Sequence, residues 1–418
     1  MKIQYAANNS NLFLFYVSFS LFGYCVIAPL AELISPNSET SLVTILYRVF
    51  VLGGAMLFIF QLFFLLKKMY VETLGMCALL LVLLFWFIYT CRLFYDATFQ
   101  ANLLGEDTII SYITVGYGFV FIPMLAVARS YNEADLKRLF IMSLYILLLG
   151  VLLNLSVSAF QILSGSWQGG QRLSTERLNP ISLGRYSAVL FLLAFGLIQI
   201  YNKKKILLII VMFIGLIGVL LSGSRGALVS LLSVLIIILL ANVSLKKIML
   251  FSILLPLCVG IGIFLMSVLV PDIDVISNYL AMGGKSDQSA QIRYQLYHGA
   301  LEQFYNKPIL GDLIVEREYK FYPHNQVLEI LMATGVTGML VFVSLNLFVL
   351  GKLNMLKNCT ISKRGGVYGI LTYCLIFYVL GGMFSGTIFG ALEYWYFVII
   401  ICFSTTKYGS VSIHRRIF

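Results

Sequence analysis

Apolar runs of about twenty residues, separated by short polar segments, recur along almost the whole sequence. A helix needs about twenty consecutive apolar residues to cross a membrane, so each run is a predicted span. Eleven spans is the alternative, because the seventh and eighth runs are short and poorly separated. We predict twelve spans, at residues 12–33, 44–66, 72–94, 108–129, 139–161, 181–201, 206–221, 226–242, 248–270, 325–351, 366–387 and 390–405.

The composition agrees with this pattern. The chain is 60% hydrophobic and only 11% charged, and a soluble domain of 418 residues could not bury so much apolar surface. The predicted fold class is therefore an all-α polytopic membrane protein, with residues 1–418 forming one integral membrane domain. The net charge of +11 is spread over loops, which argues against nucleic acid as a partner. The seven cysteines show no CxxC spacing, which argues against a zinc site.

Basic residues divide by type between the two predicted sides of the membrane. Lysine dominates one side, which the positive-inside rule assigns to the cytoplasm together with both chain termini. The opposite loops hold most of the acidic residues, and their basic residues are mostly arginine. Arginine is favoured where a planar fork must bind phosphate or carboxylate. The arginines predicted on the outer side are Arg48, Arg92, Arg172, Arg177, Arg185, Arg225, Arg293 and Arg317.

Two outer loops are large enough to shape a site. Residues 271–323 form the larger one, and inside it the pattern of Ala290 to Tyr305 predicts an amphipathic helix lying along the membrane surface. The second loop, Gln161 to Pro180, is polar and rich in glycine. We therefore expect any extracytoplasmic site to be built by these loops and the helix ends beside them.

The Ser222-Gly223-Ser224-Arg225-Gly226-Ala227 segment lies between the seventh and eighth predicted spans. A Ser/Gly turn that enters a helix exposes backbone N–H groups that bind anions, and Arg225 adds a fixed charge there. Together with Ser224, this arginine suits a phosphate or pyrophosphate. The alternative is a tight interhelical turn whose arginine only reaches to the membrane interface.

Arg185 follows an Asn179-Pro180 pair that is typical of a helix start. It would lie about one turn inside the membrane helix. An arginine at that depth is costly unless it faces a polar cavity or a charged partner, so Arg185 is a site candidate. The alternative is a salt bridge inside the helix bundle.

His324 is one of three histidines in the chain and lies in Tyr322-Pro323-His324-Asn325, just before an apolar run. The proline and asparagine predict a helix start, where the partial positive charge of the helix end disfavours imidazolium. A neutral imidazole there is a candidate general base, and Glu329, about one turn further on, could orient its ring. The alternative is a cap residue without chemistry. His298 is expected at a solvated helix position.

These segments, in this order, resemble the O-antigen ligase and polymerase superfamily of bacterial membrane glycosyltransferases. The resemblance covers roughly residues 160–345. It is carried by the Ser222–Ala227 turn, Gln291-Ile292-Arg293-Tyr294, Asn306-Lys307-Pro308-Ile309-Leu310-Gly311, Pro323-His324-Asn325 with Glu329, and Thr334-Gly335-Val336-Thr337-Gly338.

The resemblance implies a C-type glycosyltransferase-like enzyme of the bacterial cytoplasmic membrane that needs no metal or cofactor and works at the periplasmic face. The donor would be a glycan on undecaprenyl pyrophosphate. Arg185 and Arg225, with Arg293 as a weaker candidate, would hold the pyrophosphate, and His324 would deprotonate the acceptor hydroxyl. Ser224, Asn325 and Glu329 would support them.

Three functions fit this prediction. A polymerase would add the chain to a lipid-linked repeat unit, and a ligase would add it to lipid A–core; we favour the polymerase because such sequences are numerous. A chain-length regulator and membrane lipids are the further candidate partners. A transporter or flippase for lipid-linked glycan is the alternative from another class, but it predicts internal duplication, which the sequence lacks.

Overall fold

The structure is a computed structural model that describes residues 9–34, 42–65, 73–164, 177–241, 288–358 and 366–405. Over these residues the chain is helical, with no strand apart from an isolated bridge between Tyr131 and Ser404. The all-α fold class is therefore confirmed. The larger predicted loop is described only from residue 288 onward, and the smaller only to residue 164 and from residue 177.

The helix boundaries follow the apolar pattern closely. A π-helix at Tyr112–Phe121 joins α5 to α6, and the described residues between α11 and α12 form an ordered loop. The helices are α1 Asn11–Phe22, α2 Tyr24–Ile34, α3 Leu42–Leu65, α4 Thr73–Phe99, α5 Glu106–Ser111, α6 Ile122–Ala126, α7 Glu133–Leu163, α8 Pro180–Ile198, α9 Lys205–Leu221, α10 Arg225–Ala241, α11 Gln288–Asn306, α12 Gln326–Asn358, α13 Gly366–Phe384 and α14 Leu392–Phe403.

Seven helices of the described chain are long and apolar enough to cross a membrane. The bent pair α1 and α2, which meet at 65°, raises the number to eight if the pair is one span. Three further apolar helices, Lys205–Leu221, Arg225–Leu240 and Leu392–Phe403, are shorter. The protein is thus a multi-pass membrane protein. The predicted count of twelve is not confirmed, and the predicted span 248–270 lies outside the described residues.

The chain divides into two compact units. The first comprises Met1–Val17, Val49–Leu139 and Gln288–Phe418, and the second comprises Ser18–Arg48 and Phe140–Asp287. The expectation of one integral membrane domain stays a prediction.

Helices α4, α12 and α14 form the core of the first unit. Trp395 of α14 packs against Phe85 and Trp86 of α4, with ring centroids 5.4 and 5.5 Å apart. At one end of α14, the Trp395 indole N–H donates to the Ile388 carbonyl at 2.9 Å. At the other end, Ser404 pairs with Tyr131. This aromatic core ties the loop before α14 firmly to α4.

Helices α8 and α9 pack closely in the second unit because small residues face each other. A Cβ added at Gly215 of α9 would lie 2.8 Å from the Ser187 carbonyl oxygen and 2.9 Å from the Phe191 nitrogen of α8. Such contact distances leave room only for glycine. The pairing fixes α8 and α9, and with them the turn that follows α9.

Candidate functional site

Helix α12 begins just after the histidine motif of the first unit. The Asn325 side-chain oxygen accepts hydrogen bonds from the backbone N–H groups of Val327 at 3.0 Å and Leu328 at 3.2 Å. It therefore caps the first turn of the helix, as a residue of this type does before an apolar run. The helix start predicted from Pro323 and Asn325 is confirmed.

His324, directly before this cap, has a strained backbone with φ of 54°. A non-glycine residue in the left-handed region is uncommon, and such strain often accompanies a functional site. Its Nδ1 atom is buried and, within the described part of the chain, has no hydrogen-bond partner. Both features are unexpected for a residue that serves only to end a loop.

Aromatic rings and one arginine surround the His324 imidazole. Its centroid lies 4.6 Å from Tyr322, in an edge-on arrangement, and 5.4 Å from Phe321. Burial, together with the nearby positive charge of Arg293, lowers the pKa of His324 from its ordinary value of 6.5 to about 4. The ring is therefore neutral at pH 7, as a general base requires, although its pKa lies well below the working range of most such bases.

Arg293 lies on α11, which confirms the helix predicted at Ala290 to Tyr305. Its side chain is half-buried, and one guanidinium N–H donates to the Phe384 carbonyl at 3.3 Å. His298 on the same helix is exposed, as expected for a solvated position. The structure thus brings Arg293, and not His298, into the electrostatic surroundings of His324.

Glu329 does not orient the His324 ring. Its carboxylate is fully buried and accepts hydrogen bonds from the Tyr89 hydroxyl at 3.1 Å, the Thr387 hydroxyl at 2.9 Å and the Ile388 N–H at 2.9 Å. These donors occupy the carboxylate, and among the described residues the His324 Nδ1 has no partner. The expected His324–Glu329 contact was wrong, because the loop between α13 and α14 supplies two of the donors that bind the carboxylate.

That loop, residues 385–391, joins α13 to α14 at the level of His324. Thr387 donates to Glu329, and its carbonyl accepts from the Gln326 side chain at 3.3 Å. Phe389 stacks on Tyr112 at 3.9 Å and meets Tyr322 edge-on at 6.4 Å. The available sequence signal was Ser385-Gly386-Thr387, a polar interruption inside an apolar stretch.

The loop that leads to His324 is clamped by Arg92 of α4. Its guanidinium donates to the carbonyls of Gly311 and Asp312 and pairs with Asp96. The other oxygen of Asp96 accepts from the Ile314 N–H at 2.9 Å. Asp96 itself lies in α4 and is fully buried.

Asp312 holds the same loop from the other side. Arg317 donates to both of its oxygens at 2.7 and 2.8 Å, and the Lys307 amine lies 2.7 Å away. Burial alone would raise the pKa of Asp312, but the hydrogen bonds from Arg317 and Lys307 outweigh it and hold that pKa below its ordinary value. Arg317 thus serves an ion pair, with Asp312 rather than with its neighbours Glu316 and Glu318.

In the second unit, several polar groups of the Ser222–Ala227 turn form hydrogen bonds within the turn or to the end of α9. Gly223 has φ of 58°, and its N–H donates to the Leu220 carbonyl at 3.1 Å. The Ser224 N–H donates to the Ser222 hydroxyl at 3.2 Å, and that hydroxyl donates to the Val219 carbonyl at 2.7 Å. These two N–H groups are therefore already paired within the turn, and both serines are buried.

Arg225 is the first residue of α10, and Arg185 lies in the second turn of α8, which starts at Pro180 as predicted. Both side chains are half-buried. A Cβ added at Gly184 would lie 2.7 Å from the Ser222 hydroxyl and from the Ser224 Cβ. The turn that carries Arg225 therefore rests on α8 one residue before Arg185, which brings the two arginine-bearing segments into contact.

The predicted site residues thus fall into two groups. Arg293, His324, Asn325 and Glu329 lie in the first unit, whereas Arg185, Ser224 and Arg225 lie in the second.

The chain matches a known protein family over part of its length. Residues 210–311 match a family model described as O-antigen ligase. The matched segment contains Ser224, Arg225 and Arg293 and ends before His324. It confirms the resemblance to the O-antigen ligase and polymerase superfamily. No curated protein matches the chain significantly.

Proposed function

We propose that the protein is an O-antigen polymerase, which transfers a glycan from undecaprenyl pyrophosphate to a lipid-linked repeat unit. The superfamily resemblance supports a transferase acting on lipid-linked glycan, and the multi-pass architecture suits a substrate that stays in the membrane. The observation that carries the proposal is His324, a neutral, strained, half-buried histidine at a helix start.

In this proposal, His324 takes the proton from the acceptor hydroxyl. Because Nδ1 is buried, the nitrogen left to face the hydroxyl is Nε2, and in the neutral ring the hydrogen then sits on Nδ1. The deprotonated oxygen attacks the anomeric carbon of the donor sugar. The new glycosidic bond forms as the bond between that carbon and the pyrophosphate oxygen breaks, and undecaprenyl pyrophosphate leaves with the electron pair.

The pKa of His324 depends on the charge of Arg293 as well as on burial. A pyrophosphate beside Arg293 would offset the guanidinium charge that helps to lower this pKa. Donor binding would then strengthen the base just when it is needed. The superfamily resemblance also assigns Arg185 and Arg225 to the donor pyrophosphate, and their charges would stabilise the leaving group more as the bond breaks.

A ligase is the second candidate, because the matching family model is described as O-antigen ligase. The glycans made by cells lacking the gene distinguish the candidates. Lipid A–core carrying single repeat units indicates a polymerase, and full-length chains left on undecaprenyl pyrophosphate indicate a ligase. Repeat units trapped at the cytoplasmic face would indicate a flippase and overturn the transferase proposal.

The proposed location is the bacterial inner membrane, with His324 facing the periplasm. Helix α12 supports this, because it begins two residues after His324 and carries Lys357 in its last turn, among the lysines that the positive-inside rule assigns to the cytoplasm. His324 therefore lies at the opposite end of that helix from Lys357. A membrane-impermeant reagent should label a cysteine at Glu318 in cells whose outer membrane is permeabilised. Labelling only after inner-membrane lysis would reverse the orientation.

Metal independence is part of the proposal and follows from the superfamily resemblance alone. Asp272 and Asp274, two residues apart in the larger loop, are a carboxylate pair that would count against it; both lie outside the described residues. Transfer by the purified protein should persist in excess EDTA. Loss with chelator and recovery with magnesium or manganese would refute this part of the proposal.

A further inference from the structure

The corner between α11 and the His324 loop, residues 305–311, docks by its backbone onto α12. The Pro308 carbonyl accepts from the Val336 N–H at 2.8 Å. The Ile309 carbonyl accepts from the Thr337 N–H at 3.2 Å and from its hydroxyl at 2.8 Å. The corner is thus attached well inside the helix rather than at its end.

This attachment is possible because α12 is broken at Gly335. Its φ of 63° and ψ of −159° are not helical, so the N–H groups that follow lose their partners within the helix. Unpaired N–H groups are costly in a membrane, and the corner carbonyls satisfy them. Gly311 has φ of 76°, and a Cβ there would overlap the backbone of α12 at Ala333. The backbone of residues 305–311 therefore packs directly against α12 at the break, with no space for a side chain at Gly311.

Below the break, α12 presents an exposed apolar stripe at helical spacing. It consists of Val336, Leu340, Val343, Leu347 and Leu350. Fourteen residues separate its first and last members, which is about 21 Å along the axis. This length is shorter than the hydrocarbon core of a bilayer, about 30 Å, so the stripe alone would leave part of the core uncovered.

The corner extends this stripe. Ile309 and Leu310 sit beside Val336 and Thr337, and their side chains are 70% and 68% exposed. Two neighbouring aliphatic side chains so exposed are out of place in water. On their α11 side lie Tyr305, 73% exposed, and Lys307, the residue types that favour the boundary between acyl chains and headgroups.

We infer that Ile309 and Leu310 insert into the acyl chains of the membrane leaflet nearer His324, with Tyr305 and Lys307 at its headgroup boundary. The occupant of this surface is membrane lipid, since the apolar stripe of a spanning helix runs directly into it. The insertion would set the height of the loop that carries His324.

The test places a small fluorescent amino acid at Leu310 in the full-length protein, reconstituted into phospholipid nanodiscs. Quenching by lipids with brominated acyl chains is compared with quenching by aqueous iodide. Leu340, in the middle of the stripe, is the lipid-facing control, and Glu318, exposed on the same loop, is the aqueous control. We expect position 310 to behave as Leu340 does.

Two results would overturn the inference. Iodide quenching at position 310 equal to that at Glu318 would place the corner in water. Protection from both quenchers would mean that protein, such as a second copy of the chain, covers it. If the protein with the reporter at Leu310 fails to insert, the same reporter at Ile309 makes the test. The measurement needs no transfer activity, so its outcome is independent of the proposed reaction.

Discussion

The His324 region and the Ser222–Ala227 turn both carry residues of the superfamily resemblance, yet their polar atoms behave differently. In the turn, the Ser222 hydroxyl donates to one backbone group and accepts from another, and both serines are buried. At His324, the backbone is strained and Nδ1 is buried without a partner among the described residues. The polar groups of the turn are thus used in hydrogen bonds within the turn, whereas the His324 region holds a buried polar atom that has no partner among the described residues.

This difference separates residues that build a site from those that act in it. A satisfied hydroxyl already has its partners and gains little from a ligand. A strained residue with an unpaired atom persists only because its surroundings force it, and such residues cluster at functional sites. Chemistry is therefore expected from His324 and from the arginines, and only backbone support from Ser222 and Ser224.

The largest effect is expected at His324. His324→Ala should lower single-turnover transfer by about a hundredfold to ten-thousandfold, since that is the range for removal of a general base. Donor binding should persist, because the proposed pyrophosphate contacts are made by arginine. His298→Ala, a change at an exposed histidine on α11, is the matched control and should be much milder. Near-normal transfer by His324→Ala would place the base elsewhere, and loss of donor binding would make His324 a ligand or a cap.

The arginines of the second unit come next. Arg185→Lys and Arg225→Lys keep the charge but remove the fork that grips two phosphate oxygens. Each should lower the transfer rate by on the order of a hundredfold, the size expected when contact to developing charge is lost. Arg317→Lys is the control, because Arg317 pairs with Asp312 and is given no part in the reaction. Normal polymer from cells carrying both lysine variants would rule out the forked grip.

Short sequence patterns predicted where several helices begin. The Asn-Pro pair marked the start of α8, Pro323 with Asn325 marked that of α12, and the amphipathic pattern marked α11. Each depends on residues close in the chain, whose caps and periodicity act within a few turns. The apolar runs likewise located the seven described helices that are long enough to cross a membrane, whereas α14, with only 12 residues, is shorter than its run suggested.

The partners of buried charge could not be predicted in this way. Glu329 bonds to Tyr89, 240 residues away in the chain, and to Thr387. Proximity in sequence favoured His324 instead, but a buried carboxylate takes whichever donors the fold brings to it. The break in α12 could not be predicted for the same reason, since the sequence around Gly335 does not show that residues 308–309 would supply the missing acceptors.

A smaller effect is expected at Arg293, and it appears in the pH profile. Burial and the Arg293 charge hold the pKa of His324 at about 4. A base with a lowered pKa stays neutral down to lower pH. The protonation of His324 should therefore lower kcat/KM of the wild type only near pH 4. Arg293→Ala removes one of the two causes and should move the acidic limb toward higher pH, only part of the way to 6.5 because burial remains. Arg293→Lys keeps the charge and should leave the limb in place; an unmoved limb in Arg293→Ala would contradict the electrostatic link.

The smallest effect on transfer is expected from Ser222→Ala. The change removes the acceptor of the buried Ser224 N–H and the donor to Val219, and an unsatisfied buried group costs about 1 to 3 kcal/mol of stability. The midpoint of thermal unfolding should therefore fall, whereas the rate per folded molecule should change far less than in Arg225→Lys. Ser222→Thr, which keeps the hydroxyl, should recover part of the lost stability if the added methyl group is accommodated beside Gly184. A rate loss in Ser222→Ala as large as that in Arg225→Lys, without loss of stability, would show that the turn binds the anion directly and that the two regions differ less than their hydrogen bonds indicate.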